Sequence, residues 1–96
     1  MAKSIMPFNL KGRCYICKAN CFTETHHIFQ GSNRQACDDL GLTVEICRIC
    51  HERAHKYPKE FEQRYHLKSN AQKIAMITRG LSIDQWREIF RKDYRD

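Results

Sequence analysis

Apolar positions along this chain change period twice. From Phe22 to Ile28 they alternate with polar ones, which predicts a short strand running into the pair His26–His27. Gln30–Asn33, with Gly31, Ser32 and Asn33, is a turn cluster. Asn33 to Leu40 predicts one or two helical turns, closed by Gly41 at the position after the helix where glycine is favoured. Leu42–Ile46 (LTVEI) is the strongest strand candidate, rich in β-branched residues. After Cys47 the pattern turns helical through His55 and stops before Pro58. Beyond Pro58 the chain is helical, with spans near 59–66, 70–79 and 83–92. Ser69 with Gln72 and Ser82 with Gln85 both fit the S-x-x-Q capping box, and Gly80 fits a stop between them. Ile83, Trp86, Phe90 and Tyr94 share one helical face and read as core. There is no internal repeat or low-complexity segment. Two strands around a loop, then helices, predict an α+β fold.

Composition adds a constraint. Ninety-six residues with 42% hydrophobic and 10% aromatic content make one domain with a modest core. Six cysteines in so small a chain predict a staple. The basic lead-in, residues 1–13, has no apolar segment of a secretory signal, and no stretch approaches membrane-spanning length. The expected setting is a reducing one, where Cys-x2-Cys pairs bind metal rather than form disulfides. Cys14/Cys17 and Cys47/Cys50 have the spacing of a four-thiolate structural zinc site. Joining the two pairs folds residues 18–46 back on themselves. Cys21 and Cys37 are left over, either as free thiols or as alternative ligands.

The formal charge is +6, from 17 Lys+Arg against 11 Asp+Glu. Four thiolates with one zinc lower this by about two charges, and a second divalent ion on neutral imidazoles restores it. A basic surface on so small a chain favours polyanionic partners, nucleic acid first.

The chemistry concentrates in histidines. Four of the five fall in two clusters, His26–His27 before the long loop and His51 with His55 after the second cysteine pair. His51 and His55 lie four residues apart on the helix, so one face presents both imidazoles to one cation. Adjacent strand residues point to opposite sides, so His26 and His27 take different tasks. One can face the metal while the other faces a substrate phosphate. Phosphodiester hydrolysis needs that division: a base to deprotonate water and a cation to neutralise charge on the phosphate. Each has an alternative: His51 and His55 as solvated residues of a basic helix, and His26 or His27 as a replacement for a cysteine in the structural zinc site. His66 stands apart and reads as an ordinary surface histidine. Three imidazoles accept Zn, Ni, Mn or Co, whereas Mg prefers carboxylates.

The pattern Cys14-x2-Cys17, Thr25-His26-His27-Ile28, Cys47-x2-Cys50-His51 resembles the HNH nucleases of the ββα-metal (His-Me finger) superfamily. The run HHIFQGSNR, with YHLKSNAQKIA and EIFRKDY downstream, is similar to short stand-alone HNH proteins of phages and prophages. The motif covers residues 14–55, and the looser resemblance nearly the whole chain. It implies a zinc-braced ββα-metal core at 14–57 under a helical cap at 58–96, acting as a DNA endonuclease in a phage or bacterial host cytoplasm. By position it implies His27 as general base, with His26, His51 and His55 holding the catalytic divalent ion. It also implies an asparagine that orients the base, for which Asn33 is the loop's one candidate. Arg34, Arg48, Arg53, Lys56 and Lys59 are the candidate phosphate contacts. The competing readings are a non-catalytic zinc module that binds nucleic acid and an inactive relative used as a protein adaptor.

Overall fold

The computed structural model describes residues 3–95. The order is β1 (Glu24–His27), a 3-10 turn (Gly31–Asn33), α1 (Arg34–Leu40), β2 (Thr43–Ile46), α2 (Arg48–Lys56), α3 (Pro58–Tyr65), α4 (Leu67–Thr78) and α5 (Ile83–Phe90). The described residues therefore form an α+β protein with five α-helices and a two-stranded sheet. The strands run antiparallel, pairing Glu24 with Ile46, Thr25 with Glu45, His26 with Val44 and His27 with Thr43. This register sets the entrance of β1 beside the exit of β2, and α2 starts two residues after that exit. Cys47 and the start of α2 thus lie at the Glu24–Ile46 end, His26 and His27 sit towards the other end, and α2 packs against β1 so that His51 and His55 meet His26.

β1 is shorter than the predicted 22–28 span, because the flanking residues have other partners. The Thr23 hydroxyl accepts from the Gly12 amide at 3.0 Å and donates to the Glu45 carboxylate at 3.0 Å. The Ile28 amide still bonds to the Leu42 carbonyl at 3.1 Å, while its side chain enters the core. Phe22 projects into solvent, 83% exposed.

The lead-in is more ordered than its composition predicts. Ile5 N–H donates to the Gly41 carbonyl at 2.9 Å, the Ser4 hydroxyl to the Thr43 carbonyl at 2.5 Å, and Glu45 N–H to the Asn9 side chain at 2.8 Å. The segment thus covers the edge of β2 that β1 leaves open, an edge that otherwise invites pairing with other chains. Gly41 makes this possible. It ends α1 at φ +74°, and a Cβ there would lie 2.3 Å from the Lys3 carbonyl oxygen.

The Ser82–Gln85 capping box is present in both directions. The one expected at Ser69–Gln72 is absent, because α4 begins at Leu67, three residues before the predicted start. The Glu62 carboxylate of α3 caps it instead, accepting from the Lys68 and Ser69 amides at 2.7 and 3.1 Å. Ser69 and Gln72 are buried inside the helix. Gln72 uses its amide to hold the chain end, donating to Asp93 at 2.8 Å and accepting from Tyr94 N–H at 2.6 Å.

The core is one cluster around Phe29, two residues past His27. Phe29 packs against Trp86, Phe90 and Tyr94 at ring-centroid distances of 5.4, 4.8 and 4.8 Å. The predicted face of α5 is thus core, with Trp86 and Phe90 buried and Ile83 and Tyr94 half-buried. Its function is to clamp the exit of the strand that carries the histidines. No helix among the described residues is long and apolar enough to cross a membrane.

Candidate metal centres and catalytic pocket

The four paired cysteines come together as the spacing predicts. One sulfur from each of Cys14, Cys17, Cys47 and Cys50 lies within 4.8 Å of the others. Cys17 and Cys47 sulfurs are 3.9 Å apart, close to the edge of about 3.8 Å that a tetrahedron of ~2.3 Å zinc–sulfur bonds requires. The Cys17 amide points at the Cys14 sulfur at 3.4 Å and the Cys50 amide at the Cys47 sulfur at 3.5 Å. Such N–H···S contacts stabilise thiolate. Burial pushes the Cys14 thiol up, but backbone amides of Cys17, Cys47 and Ile16 outweigh it and lower the pKa to about 6. Cys50 is driven far up, first by burial and then by hydrogen bonds with the Cys47 and Cys14 thiols. Without a cation, the Cys14 thiolate therefore disfavours ionisation of Cys17 and Cys50. A divalent ion removes that conflict, so the donor set fits structural zinc. No disulfide joins any of the six cysteines. Cys37 is fully buried, accepting from Phe29 N–H and donating to Phe29 C=O at 3.2 Å each. Cys21 is half-buried and donates to the Ala19 carbonyl at 3.6 Å.

His26, His51 and His55 form the second group, with one ring nitrogen from each within 4.8 Å of the others. Two ~2 Å metal–nitrogen bonds span at most about 4 Å, so modest ring rotation closes this triad on one ion. The rings meet edge-on or tilted, at centroid distances of 5.2 Å (His26–His51), 5.7 Å (His26–His55) and 4.8 Å (His51–His55). His26 is 5% exposed, and its Nδ1 is buried without a hydrogen-bond partner. Burial, with repulsion from His51, His55, His27 and Lys68, lowers its pKa to about 3. The ring is therefore neutral at physiological pH, the form in which imidazole ligates metal. His51 Nδ1 lies 3.0 Å from the Glu24 carboxylate. An ionised carboxylate only accepts, so Nδ1 carries the proton and Nε2 is left as the donor atom. With His26 buried, His51 half-buried and oriented by Glu24, and His55 exposed, the three imidazoles fit a divalent cation.

His27 turns away from the triad, as strand alternation predicts. Its Nε2 sits 2.6 Å from Asp38 Oδ1 on α1, and its backbone carbonyl accepts from the Gln30 amide. By the same carboxylate argument Nε2 is the protonated nitrogen, and Nδ1 keeps a lone pair able to take a proton. His27 nonetheless stays near enough to His26 to be among the charges that disfavour its protonation.

Asn33 was the predicted orienting residue, and the structure does not place it there. It ends the 3-10 turn, makes no side-chain cap, and is not a hydrogen-bond partner of His27. Asp38 meets the ring instead. Helix α1 follows Asn33 directly and carries Asp38 back over β1, which the linear spacing does not reveal.

An open cavity of about 670 Å³ is lined by Glu24, Arg48, His51, Glu52, His55 and Lys56. Two of the five predicted phosphate contacts, Arg48 and Lys56, are therefore at the histidines. Arg53 is not, because two residues along a helix turn it about 200° from His51. It lines a separate groove with Tyr57, Phe61 and Arg64. Arg34 and Lys59 are exposed near the starts of α1 and α3, off the cavity wall.

Glu24 and Asp38 also belong to the site, beyond the residues that the sequence pattern singles out. Glu24 had a usable signal, since residues two apart on a strand share a face and it precedes His26 by two. Asp38 had none, because its contact crosses from helix to strand. Comparison with protein-family models, curated proteins and solved structures found no match.

Proposed function

We propose that this chain is a metal-dependent DNA endonuclease of the HNH, ββα-metal type, braced by a four-cysteine zinc site. The observation that carries the reading is the pairing of a three-imidazole cation site with an adjacent histidine whose free nitrogen is set by a carboxylate. A purely binding module has no use for the His27–Asp38 pair. Arg48 and Lys56 at the cavity mouth, on a chain of formal charge +6, support a polyanionic substrate.

In this reading His27 acts as the general base. Its Nδ1 accepts a proton from water while the water oxygen forms a bond to phosphorus. The P–O3′ bond breaks, and the leaving oxygen takes up a proton to give a 3′-hydroxyl and a 5′-phosphate. Asp38 holds the imidazole in the required tautomer and stabilises the imidazolium formed. Glu24 fixes His51, and Arg48 and Lys56 hold the flanking phosphates. A divalent ion held by His26, His51 and His55 would supply positive charge to the phosphate and to the departing oxygen.

The test is conversion of supercoiled plasmid to nicked or linear DNA by the zinc-loaded protein with Mn, Ni, Co, Zn or Mg. Divalent-dependent cleavage, lost with chelator and restored by added ion, is the expected result. DNA binding without cleavage under every ion would leave a nucleic-acid-binding zinc module.

A further inference from the structure

A second groove, of about 430 Å³, adjoins the histidine cavity and is lined by Cys21, Phe22, Glu24, Cys47, Arg48 and Ile49. Glu24 and Arg48 belong to both, so the two surfaces are continuous. The groove differs in chemistry. Phe22 is 83% exposed and Ile49 64% exposed, so an aromatic ring and a branched aliphatic chain stand in solvent at the edge of a basic site. Neither helps the core. Phe22 precedes β1, which the Thr23 and Thr25 hydroxyls lock to Glu45, and Ile49 sits in the first turn of α2. Both side chains therefore project from anchored backbone.

We propose that Phe22 and Ile49 form an apolar wedge that contacts the nucleobases next to the phosphodiester engaged at the histidine cavity; this inference rests on the nuclease reading above. The occupant follows from the continuity. A strand whose phosphate lies at His51, His55 and Arg48 enters this groove when it continues past Arg48, a residue the two surfaces share. Basic side chains meet its phosphates, whereas an uncharged ring and a methyl-rich chain can interact only with bases and sugars. Apolar side chains inserted at a base step unstack it, and aromatic rings offer a surface on which any base stacks. Such contacts give geometric positioning with little sequence preference.

The experiment measures binding of a short duplex carrying 2-aminopurine beside a cleavable step, with the zinc-loaded protein in His27→Ala background and manganese present. Phe22→Ala and Ile49→Ala are compared with the same background, and Phe22→Trp serves as the ring-preserving variant. Both positions compared, Phe22 and Ile49, are exposed, and circular dichroism checks the fold. Phe22→Ala is expected to weaken binding roughly five- to hundredfold and to abolish the 2-aminopurine signal, while Phe22→Trp retains both. The salt slope should stay unchanged, because no phosphate contact is lost. If the protein with His27 intact cleaves plasmid yet Phe22→Ala binds with unchanged affinity and fluorescence, the wedge is overturned and the nuclease reading stands. If Phe22→Ala instead dissociates a dimer seen by sedimentation, the occupant is a second copy and the wedge is overturned. If the parent neither binds nor cleaves DNA, the nuclease reading fails first and the wedge falls with it.

Discussion

Two side chains two or more elements apart in the chain decide how the histidines behave. Asp38 sets the tautomer of His27, and Glu24 that of His51. Replacing Asp38 by Asn puts a neutral amide in place of a carboxylate that accepts only, so the imidazole can flip tautomer. Asp38→Asn should keep the metal content of the parent while losing a factor on the order of 10²–10⁴ in cleavage rate. Metal analysis beside single-turnover cleavage checks this, and a rate equal to the parent's would remove Asp38 from the mechanism. The thiols make a second prediction. Burial pushes Cys37 up to about 11, so its fold-stabilising thiol form is retained at neutral pH, and that contribution is lost as pH rises from about 9 towards 11. Alkylation of the native zinc-loaded protein at pH 8 should modify Cys21 and spare Cys37, as read by mass spectrometry of the digest. Rapid labelling of Cys37 would contradict its packing. The two candidate ligand groups were legible in the sequence because their spacing is local: Cys-x2-Cys, and His51 with His55 one turn apart. Asp38 was not, since a contact between α1 and β1 leaves no periodic trace, and Asn33 stood out only by residue type.

Strand and helix positions followed their apolar periods closely, while their ends followed tertiary contacts. α4 shows why. Ser69 and Gln72 carry the local signature of a helix start, but Glu62 on α3 satisfies the Lys68 and Ser69 amides and moves the start back to Leu67. A local motif lost to a carboxylate supplied from another helix. Glu62→Gln keeps the shape and removes the charge, and should destabilise the protein by about 0.5–1 kcal/mol in urea melts. The predicted strand 22–28 likewise contracts to Glu24–His27, because Thr23 bonds to Gly12 and Phe22 faces solvent. The α5 face was legible in full, and its partner Phe29 shows what the face does. Phe29→Ala should cost about 3–5 kcal/mol, through lost contacts with Trp86, Phe90 and Tyr94 and the cavity left behind. A loss of no more than about 1 kcal/mol, the centre of the range for point mutants in general, would mean that the cluster does not anchor β1.

Taken whole, the molecule is a small core with two groups of side chains that could each hold a metal ion, built around a two-stranded sheet and α2. Its radius of gyration, 12.8 Å, matches the roughly 12–13 Å of a compact chain this size, so little surplus burial is available. Closing the two cysteine pairs around zinc should therefore carry much of the stability. Cys47→Ser should lose zinc and melt far below the parent, whereas a mutant with the parent's melt would sink the brace. Binding to DNA should weaken with salt, and Arg48→Ala or Lys56→Ala should each lower the slope by about 0.9. In the proposed mechanism the adjacent histidines divide the work, His26 holding a cation and His27 moving a proton. The direct measurement is metal stoichiometry by mass spectrometry run beside plasmid nicking for His26→Ala and His27→Ala. His27→Ala should retain the second metal and lose at least about 10²-fold in rate, and His26→Ala should lose that metal and recover part of its activity at high metal concentration. Nicking by His27→Ala at the parent's rate, with the second metal in place, would contradict this division of roles.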